Sequence, residues 1–235
     1  MRGATSGVMK TALLFDLDGT LVDSDAEHLV AFQRVFAPYG IKLDRSEYAA
    51  NIMGASNAMI ASRYLAHLSP LEQAATLDAK EAAYRDGLGE LEPILGALSL
   101  LDFADRRGLK RAVVTNAPRA NAEKVLAALG LGQRLPILVI GGELARSKPD
   151  PLPYLTALER TGASAGHSLA FEDSLSGVRA AVAAGLPVVG MTTTLDSRTL
   201  VEAGATFAAS NFTDPRIFEL IETRLNASAE EGAKA

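Results

Sequence analysis

Short runs of aliphatic and β-branched residues recur along the chain, each followed by turn residues and then by a segment with helical periodicity. Apolar runs without interleaved polar positions are typical of strands buried on both faces, as in a parallel sheet. The predicted strands are residues 11–15, 111–115, 135–140, 168–172 and 186–191, and the predicted helices between them are residues 118–129, 151–161 and 174–184. This alternation predicts a doubly wound, Rossmann-like α/β fold around a parallel sheet.

About 90 residues lie between the first predicted strand and the second, and they have a different character. From Asp25 to Leu101 the chain shows helical periodicity and no convincing strand pattern. A crossover between parallel strands needs only one helix, so the excess predicts an inserted all-helical domain, called the cap below. We place the cap at residues 24–91, with hinges near Asp23–Ser24 and Glu92–Pro93, and the α/β core at residues 1–23 and 92–235.

The composition argues against several classes of function. The 235 residues are 48% hydrophobic and carry a net charge of −5, so there is no basic field to attract nucleic acid or an anionic membrane. The absence of cysteine excludes disulfides and cysteine zinc sites, and three scattered histidines argue against a histidine metal centre. The N-terminus lacks an apolar signal core, and no apolar run is long enough to span a bilayer. We expect a cytoplasmic protein whose residues 226–235 form a frayed tail.

The richest chemical signal is the segment FDLDGTLVDS, which begins at the end of the first predicted strand. Ligands of open α/β sheets bind at the carboxyl ends of the strands. If the chain leaves the strand just after Asp16, the carboxylates of Asp16 and Asp18 would converge there on one small ligand. Gly19 permits the sharp turn that this requires. The alternative is a strand end with two solvated aspartates and a turn glycine.

Three further segments end predicted strands with polar groups. Thr115 and Asn116 can donate to phosphoryl oxygens, or can simply cap the following helix. Lys148 lies on a loop with two prolines, where its ammonium could neutralise a phosphoryl group, although a lone lysine is usually a solvated surface residue. Glu172 and Asp173 offer oxygen ligands for a hard cation such as Mg²⁺, or a cap for the next helix.

In their order along the chain, DxDGTLxDS, TNA, KPDP and EDS resemble the motifs of the haloacid dehalogenase superfamily. The resemblance extends from about Thr11 to Phe212, and the helical insertion is similar to that of the branch with a helical cap. That branch includes phosphoglycolate phosphatases, β-phosphoglucomutases and many sugar-phosphate phosphatases. The resemblance therefore implies a Mg²⁺-dependent enzyme that acts on a small phosphorylated metabolite.

The resemblance also implies a role for each motif residue. Asp16 would be the nucleophile that forms an aspartyl-phosphate, and Asp18 would protonate the leaving oxygen and then activate water. Thr115 and Asn116 would hold phosphoryl oxygens, while Lys148 would offset charge on the nucleophile and the phosphate. The implied Mg²⁺ ligands are the Asp16 carboxylate, the Asp18 backbone carbonyl and Asp173, with Glu172 as a further ligand or as a partner of one.

An aspartate at position 18 favours phosphate-ester chemistry, because the dehalogenase and phosphonoacetaldehyde hydrolase members of the superfamily have no acid there. We therefore expect a phosphatase. One alternative is a sugar-phosphate mutase of the β-phosphoglucomutase type, and another is a catalytically silent binding domain. The identity of the leaving group and the oligomeric state stay open.

The cap is expected to contact the leaving group. The candidate residues are His28, Gly54, Ser56 and Asn57, the last three in a segment similar to the substrate loop of related enzymes. Asn57 stands where the mutase pattern has an arginine for a second phosphate, which weakens the mutase interpretation. His28, by contrast, matches a histidine of mutase-like members. Both residues can also be ordinary helix-surface positions.

Overall fold

A parallel sheet of six strands runs through the structure, a computed structural model that describes residues 10–53, 55 and 57–232. The strands are β1 (Ala12–Phe15), β2 (Lys110–Thr115), β3 (Ile137–Ile140), β4 (Leu169–Glu172), β5 (Val188–Met191) and β6 (Phe207–Ala209). Their order is β3-β2-β1-β4-β5-β6, so the chain winds outward from β1 in both directions. The predicted doubly wound fold is confirmed. The short strand β6 was not predicted, because its three residues contain no apolar run that stands out.

Helices connect the strands. They are α1 (Asp25–Phe36), α2 (Arg45–Asn51), α3 (Asn57–Tyr64), α4 (Pro70–Gly87), α5 (Ala97–Arg106), α6 (Arg119–Ala128), α7 (Leu152–Thr161), α8 (Leu175–Ala183), α9 (Ser197–Glu202) and α10 (Pro215–Gly232), with 3₁₀ turns at Ala37–Tyr39, Gly141–Glu143 and Ala165–His167. Within the described ranges, no helix combines enough length with enough apolar character to span a lipid bilayer. The expectation of a frayed tail is wrong for residues 226–232, which continue α10. The buried side chains of Ile217 and Ile221 anchor that helix on the core.

The sheet is buried on both faces. Leu13 and Phe15 of β1 pack in one apolar cluster with residues of α5, α6 and α10, whereas Ala12 and Leu14 pack in a second cluster with residues of α7 and α8. This division follows from strand geometry, since successive side chains point to opposite faces. Both faces therefore require apolar residues, which is why the strand is a continuous apolar run.

The predicted all-helical insertion is confirmed for its described residues, which form α1 to α4 and contain no strand. These helices have an apolar cluster of their own, built around Phe32, Phe36 and Leu65. α4 begins with a capping box: the Ser69 hydroxyl accepts from the Glu72 backbone N–H, and the Glu72 carboxylate accepts from the Ser69 N–H at 2.9 Å. The assignment of residues 24–91 as a separate domain stays a prediction.

The two segments that join the cap to the core run side by side. Val22 forms an antiparallel bridge with Pro93, and the Ile94 N–H donates to the Leu21 carbonyl at 2.9 Å. The predicted hinges at residues 23–24 and 92–93 lie next to this bridge. The chain therefore leaves and re-enters the core at one place.

Gly96 fixes the second of these segments against the core. It has a φ of 85°, and an added Cβ would lie 2.8 Å from the Phe212 carbonyl carbon and 2.8 Å from the Thr213 nitrogen. The neighbouring Leu95 carbonyl accepts from the Phe212 N–H at 2.9 Å. A side chain at position 96 would therefore meet rigid backbone in addition to an unfavourable φ.

We expect Gly96→Ala to destabilise the protein more than Gly108→Ala, which is its matched control at the other end of α5. Gly108 also has a positive φ, of 65°, but nothing lies within 4 Å of an added Cβ. The control should lose about 1–2 kcal/mol of unfolding free energy from the left-handed backbone alone. Gly96→Ala should lose about 1–3 kcal/mol more through overpacking. Urea unfolding followed by circular dichroism measures the unfolding free energy of both variants. Equal midpoints for the two variants would contradict the close contact of Gly96 with the backbone of Phe212 and Thr213.

Candidate active site

The carboxyl ends of β1 and β4 place acidic side chains next to each other. The two strands are in register at Phe15 and Phe171, and the Asp16 N–H donates to the Phe171 carbonyl at 3.0 Å. The rings of Phe15 and Phe171 stack with centroids 4.9 Å apart and an interplanar angle of 7°. This apolar pair lies one residue before Asp16 and Glu172, so core packing sets the spacing of the acids.

Three buried carboxylates meet at this edge of the sheet. Asp16, Glu172 and Asp173 each offer one oxygen, and these oxygens lie within 4.8 Å of one another. Burial raises the pKa of Asp16 and of Asp173 above the ordinary value, and the negative charge of Glu172 raises both further. An all-oxygen donor set with excess negative charge suits a hard divalent cation such as Mg²⁺.

Lys148 supplies positive charge inside this cluster. Its ammonium donates to Asp16 Oδ1 at 2.6 Å and to Glu172 Oε1 at 2.5 Å, and the side chain is buried. Burial alone would lower the pKa of Lys148, but the Asp16 and Glu172 carboxylates raise it above its ordinary value. The lysine therefore stays charged, and it offsets only one of the three carboxylates.

Asn116 holds the backbone of the loop that carries Lys148. Its Oδ1 accepts from the Lys148 N–H at 3.2 Å, and its Nδ2 donates to the Lys148 carbonyl at 3.2 Å. The Lys148–Pro149 peptide in this loop is cis. These two bonds use the oxygen and one of the two N–H groups of the Asn116 side chain, so one N–H is left out of the pair. The role of Asn116 as a phosphate contact stays a prediction.

Thr115, the last residue of β2, is 2% exposed, and its hydroxyl oxygen accepts from the Ala117 N–H at 3.0 Å. This local side chain–backbone bond is the one expected if Thr115 only satisfies the backbone N–H groups of the following turn. A hydroxyl can donate while it accepts, so the proton remains for a phosphoryl oxygen. Both interpretations of Thr115 are compatible with its geometry.

Sequence reasoning missed two hydroxyl partners of the acidic cluster. Tyr154 of α7 donates to Glu172 Oε1 at 2.5 Å, and Thr194 donates to Asp173 Oδ2. Thr194 follows strand β5 in a run of three threonines, so hydroxyls at the end of a parallel strand were an available signal. Tyr154 gave no signal, since a fully buried tyrosine on a helix looks like an ordinary core residue in the sequence.

Gly19 brings the turn after β1 against this cluster. It has a φ of 74°, and an added Cβ would lie 2.1 Å from Asp173 Oδ2. The next residue, Thr20, directs its hydroxyl toward Asp173 Oδ1 at 3.4 Å. The predicted glycine turn is therefore present, and it closes one side of the acidic cluster.

Asp18 is not one of the three clustered acids, and its carboxylate contacts residues of the cap. Its Oδ1 accepts from the Ser24 hydroxyl at 2.6 Å and from the Tyr84 hydroxyl at 3.2 Å, and it lies 3.6 Å from His28 Nε2. Burial would raise the pKa of Asp18, but hydrogen bonding by His28 and Ser24 and the positive charge of Lys80 lower it to about 2. Asp18 is therefore an ionised carboxylate in contact with the cap.

The other predicted cap residues are less closely tied to the site. The His28 ring stacks on Tyr84 with centroids 3.9 Å apart and an interplanar angle of 1°, which places the imidazole against Asp18. Asn57 is exposed at the start of α3, and within the described part of the chain no hydrogen bond joins it to Asp18 or to the acidic cluster. Gly54 and Ser56 lie outside the described residues. The predicted contacts of these three residues with a substrate stay predictions.

Comparison with known proteins agrees with the resemblance seen in the motifs. The family model described as haloacid dehalogenase-like hydrolase matches residues 13–191. Validoxylamine A 7'-phosphate phosphatase from Streptomyces hygroscopicus subsp. limoneus is 32% identical, over 83% of this chain and 92% of that protein. The plasmid phosphoglycolate phosphatase of Cupriavidus necator is 36% identical, over 79% of this chain and 82% of its own length.

A solved structure is similar over most of both chains. A mutant of CbbY from Rhodobacter sphaeroides, crystallised in complex with xylulose-(1,5)bisphosphate, matches with a TM-score of 0.75 and 30% identity. The match covers 88% of this chain and 96% of that one. With a family match that extends from the first strand to the fifth, this chain belongs to the haloacid dehalogenase-like hydrolases.

Proposed function

We propose that the protein is a Mg²⁺-dependent phosphatase, which releases phosphate from a small phosphorylated metabolite through an aspartyl-phosphate on Asp16. The observation that carries this proposal is the position of the Asp16 carboxylate. It lies at the end of β1, held by the Lys148 ammonium at 2.6 Å and grouped with two further acids. A carboxylate that is buried and held in one orientation by an ammonium is a suitable nucleophile toward phosphorus.

The metal would be held by the Asp16 and Asp173 carboxylates and by the Asp18 backbone carbonyl. Glu172 is a weaker candidate for a direct ligand, because its Oε1 already accepts from Lys148 and Tyr154. Glu172 would instead orient Lys148 and add negative charge next to the carboxylates that hold the metal. Bound Mg²⁺ would supply positive charge against the phosphoryl oxygens and the nucleophile.

The residues of this chain divide the two chemical steps. Asp16 attacks phosphorus, a bond forms between its carboxylate oxygen and phosphorus, and the bond to the leaving oxygen breaks. Asp18 is ionised in the structure, but the negative charge of a bound phosphoryl group would raise its pKa, so that it takes up a proton and gives it to the leaving oxygen in the first step. In the second step it takes a proton from water, whose oxygen bonds to phosphorus as the bond to Asp16 breaks. Lys148 holds the Asp16 carboxylate in one orientation, and the Thr115 hydroxyl donates to a phosphoryl oxygen.

The surroundings of Asp18 indicate what kind of leaving group the site accepts. Ser24, His28 and Tyr84 present polar groups next to its carboxylate, at the junction of core and cap. A leaving group that carries hydroxyl or carboxylate groups would find hydrogen-bond partners there. The phosphatases among the relatives favour the same class, a sugar phosphate or a phosphoglycolate-like ester.

One observation favours the mutase alternative. His28, which resembles a histidine of mutase-like members in sequence, lies 3.6 Å from Asp18. A mutase must also hold the second phosphate of a bisphosphate intermediate, and an asparagine at position 57 offers no charge for this. A silent binding domain is disfavoured, because Asp16, Lys148 and Asp173 meet in one buried cluster.

We expect Asp16→Asn to abolish phosphate release while the fold is retained. The amide is nearly isosteric, but it is not a nucleophile, and kcat should fall by at least about 10³-fold. The matched control is Asp23→Asn, an exposed aspartate in the same segment, whose activity should stay near wild type. Initial rates of phosphate release and circular dichroism measure both effects. Ordinary turnover by a folded Asp16→Asn protein would contradict the proposal.

Removal of divalent metal should stop turnover, and Mg²⁺ should restore it. Ca²⁺ should bind and inhibit, because it is larger, takes more oxygen ligands and can engage both oxygens of the Asp16 carboxylate. The measurement is phosphate release after chelation and back-titration, with a thermal melt to show that Ca²⁺ occupies the site. Undiminished activity in excess chelator would exclude a metal-dependent reaction.

A bisphosphate activator separates the phosphatase from the mutase. We expect steady release of inorganic phosphate from a sugar monophosphate, with no requirement for a sugar bisphosphate. A mutase would be strongly activated by the bisphosphate and would form an isomer, because the bisphosphate regenerates its phosphorylated aspartate. Product analysis by ³¹P NMR distinguishes the two, and isomer formation without inorganic phosphate would overturn the phosphatase assignment.

A further inference from the structure

A buried network of polar side chains connects the core helix α6 to Asp18 by way of the cap. It consists of Asn121 on α6, Glu81 and Lys80 on α4, and His28 on α1. Asn121 is 1% exposed, Lys80 is 5% exposed and Glu81 is 9% exposed. Polar groups of this kind are costly to bury unless they are paired, so each contact within the network contributes to holding the others in place.

The His28 end of the network faces Asp18. The Lys80 ammonium lies 2.9 Å from His28 Nδ1, while His28 Nε2 lies 3.6 Å from Asp18 Oδ1. An ammonium can only donate, so Nδ1 accepts, and the proton of the neutral imidazole is on Nε2. Lys80 thereby directs the Nε2–H of His28 toward the carboxylate that serves as acid and base.

Lys80 is held in turn by Glu81, although the two are neighbours in sequence. Its ammonium lies 3.2 Å from each carboxylate oxygen of Glu81. Consecutive residues of a helix point in different directions and do not face each other. The Glu81 carboxylate can meet Lys80 because it is also fixed by a donor outside the helix, the Asn121 Nδ2 at 2.7 Å.

Asn121 joins two successive turns of α4. Its Nδ2 donates to Glu81 Oε2, and its Oδ1 accepts from Arg85 Nη1 at 2.7 Å. Lys124, one turn further along α6, donates to the Arg85 carbonyl. Because the donor and acceptor of the Asn121 amide are both used, the amide is satisfied only when α4 is seated on α6.

From this geometry we propose that Asn121 is a positioning residue for the acid–base step: through Glu81 and Lys80 it keeps the His28 Nε2–H directed at Asp18 when the cap is seated on α6. The proposal rests on the role of Asp18 under the proposed function. Asn121 and Glu81 contact neither the acidic cluster nor Asp18 in the structure. Their effect on the reaction would be transmitted entirely by the orientation of Lys80 and His28.

The test compares Asn121→Asp and Glu81→Gln with Lys124→Gln. Asn121→Asp places a carboxylate against Glu81, whereas Glu81→Gln keeps an acceptor for Asn121 but removes the charge that holds Lys80. Lys124→Gln is the matched control, because it removes a contact of the same α4–α6 interface that is not part of the network. Circular dichroism and thermal melts establish that each variant is folded.

The first readout is the dependence of kcat/KM on the leaving group, measured with p-nitrophenyl phosphate and phosphoglycolate. This ratio reports the reaction up to departure of the leaving group, so the water-activating step common to both esters does not contribute. An alkoxide needs a proton from Asp18 to leave, whereas p-nitrophenolate is a stable anion that needs little help. Both network variants should lower kcat/KM for phosphoglycolate by about 10-fold or more, which is a fraction of a typical acid–base contribution. The value for p-nitrophenyl phosphate should change by less than about 3-fold, and Lys124→Gln should change neither. Equal losses on both esters would indicate a merely structural role and overturn the proposal.

The second readout does not require activity. The ¹⁵N chemical shifts of the three histidines report the tautomer of each ring, and a His28→Asn spectrum assigns the resonance. We expect the Nε2–H tautomer for His28 in the wild type and in Lys124→Gln, and a mixture of tautomers in Asn121→Asp and Glu81→Gln. An unchanged tautomer in both network variants would overturn the proposal even if no ester is hydrolysed. Absence of turnover by the wild type on every ester would instead contradict the proposed phosphatase.

Discussion

The repulsion among three buried carboxylates is the constraint on which the site depends. Asp16, Glu172 and Asp173 bring oxygens within 4.8 Å of one another. At an effective dielectric constant of about 20, each pair of charges at this distance repels by about 3 kcal/mol. The neighbouring side chains reduce this cost: Lys148 donates to two of the acids, Tyr154 to one and Thr194 to another. The remaining negative charge is what makes the pocket suited to a divalent cation and to a phosphoryl group held by it.

The two aspartates of the first motif have opposite electrostatic environments, although one residue separates them. The pKa of Asp16 is raised by burial and by neighbouring carboxylates, whereas that of Asp18 is lowered to about 2 beside His28 and Ser24. The chain leaves β1 after Phe15 and turns over residues 17–22, so Asp16 stays beside the acids that follow β4 whereas Asp18 contacts the cap. A nucleophile and an acid–base residue need different surroundings, and a single sharp turn provides both.

Much of the site could be predicted from sequence because it is built on strand ends. Apolar runs mark the buried strands, and the rule that parallel strands share one active edge places Asp16, Lys148 and Asp173 together. The same reasoning cannot find Tyr154, whose partner Glu172 lies 18 positions along the chain, because a helical tyrosine has the pattern of a core residue.

Contacts between the cap and the core are harder to predict for a similar reason. Glu81 and Asn121 are polar residues on two helices, 40 positions apart, and polar helical positions usually face solvent. Only the docking of α4 on α6 makes them partners. Residues 226–232 show the opposite error, since their small polar side chains suggest fraying whereas the helix that begins at Pro215 continues through them.

The pairing of the two segments that join cap and core has a consequence for the order of folding. If the inserted segment stays unfolded, β1 and β2 can pair only by closing a loop of about 90 residues, and such long-range contacts are slow to form. The contacts among the cap helices join residues that are close in sequence and form their own apolar cluster, so these helices can form early. Once Val22 meets Pro93, the loop left to close is roughly fourfold shorter, which lowers the closure cost by about 1 kcal/mol. The inserted segment, which separates β1 from β2 in sequence, thereby helps to bring them together in space.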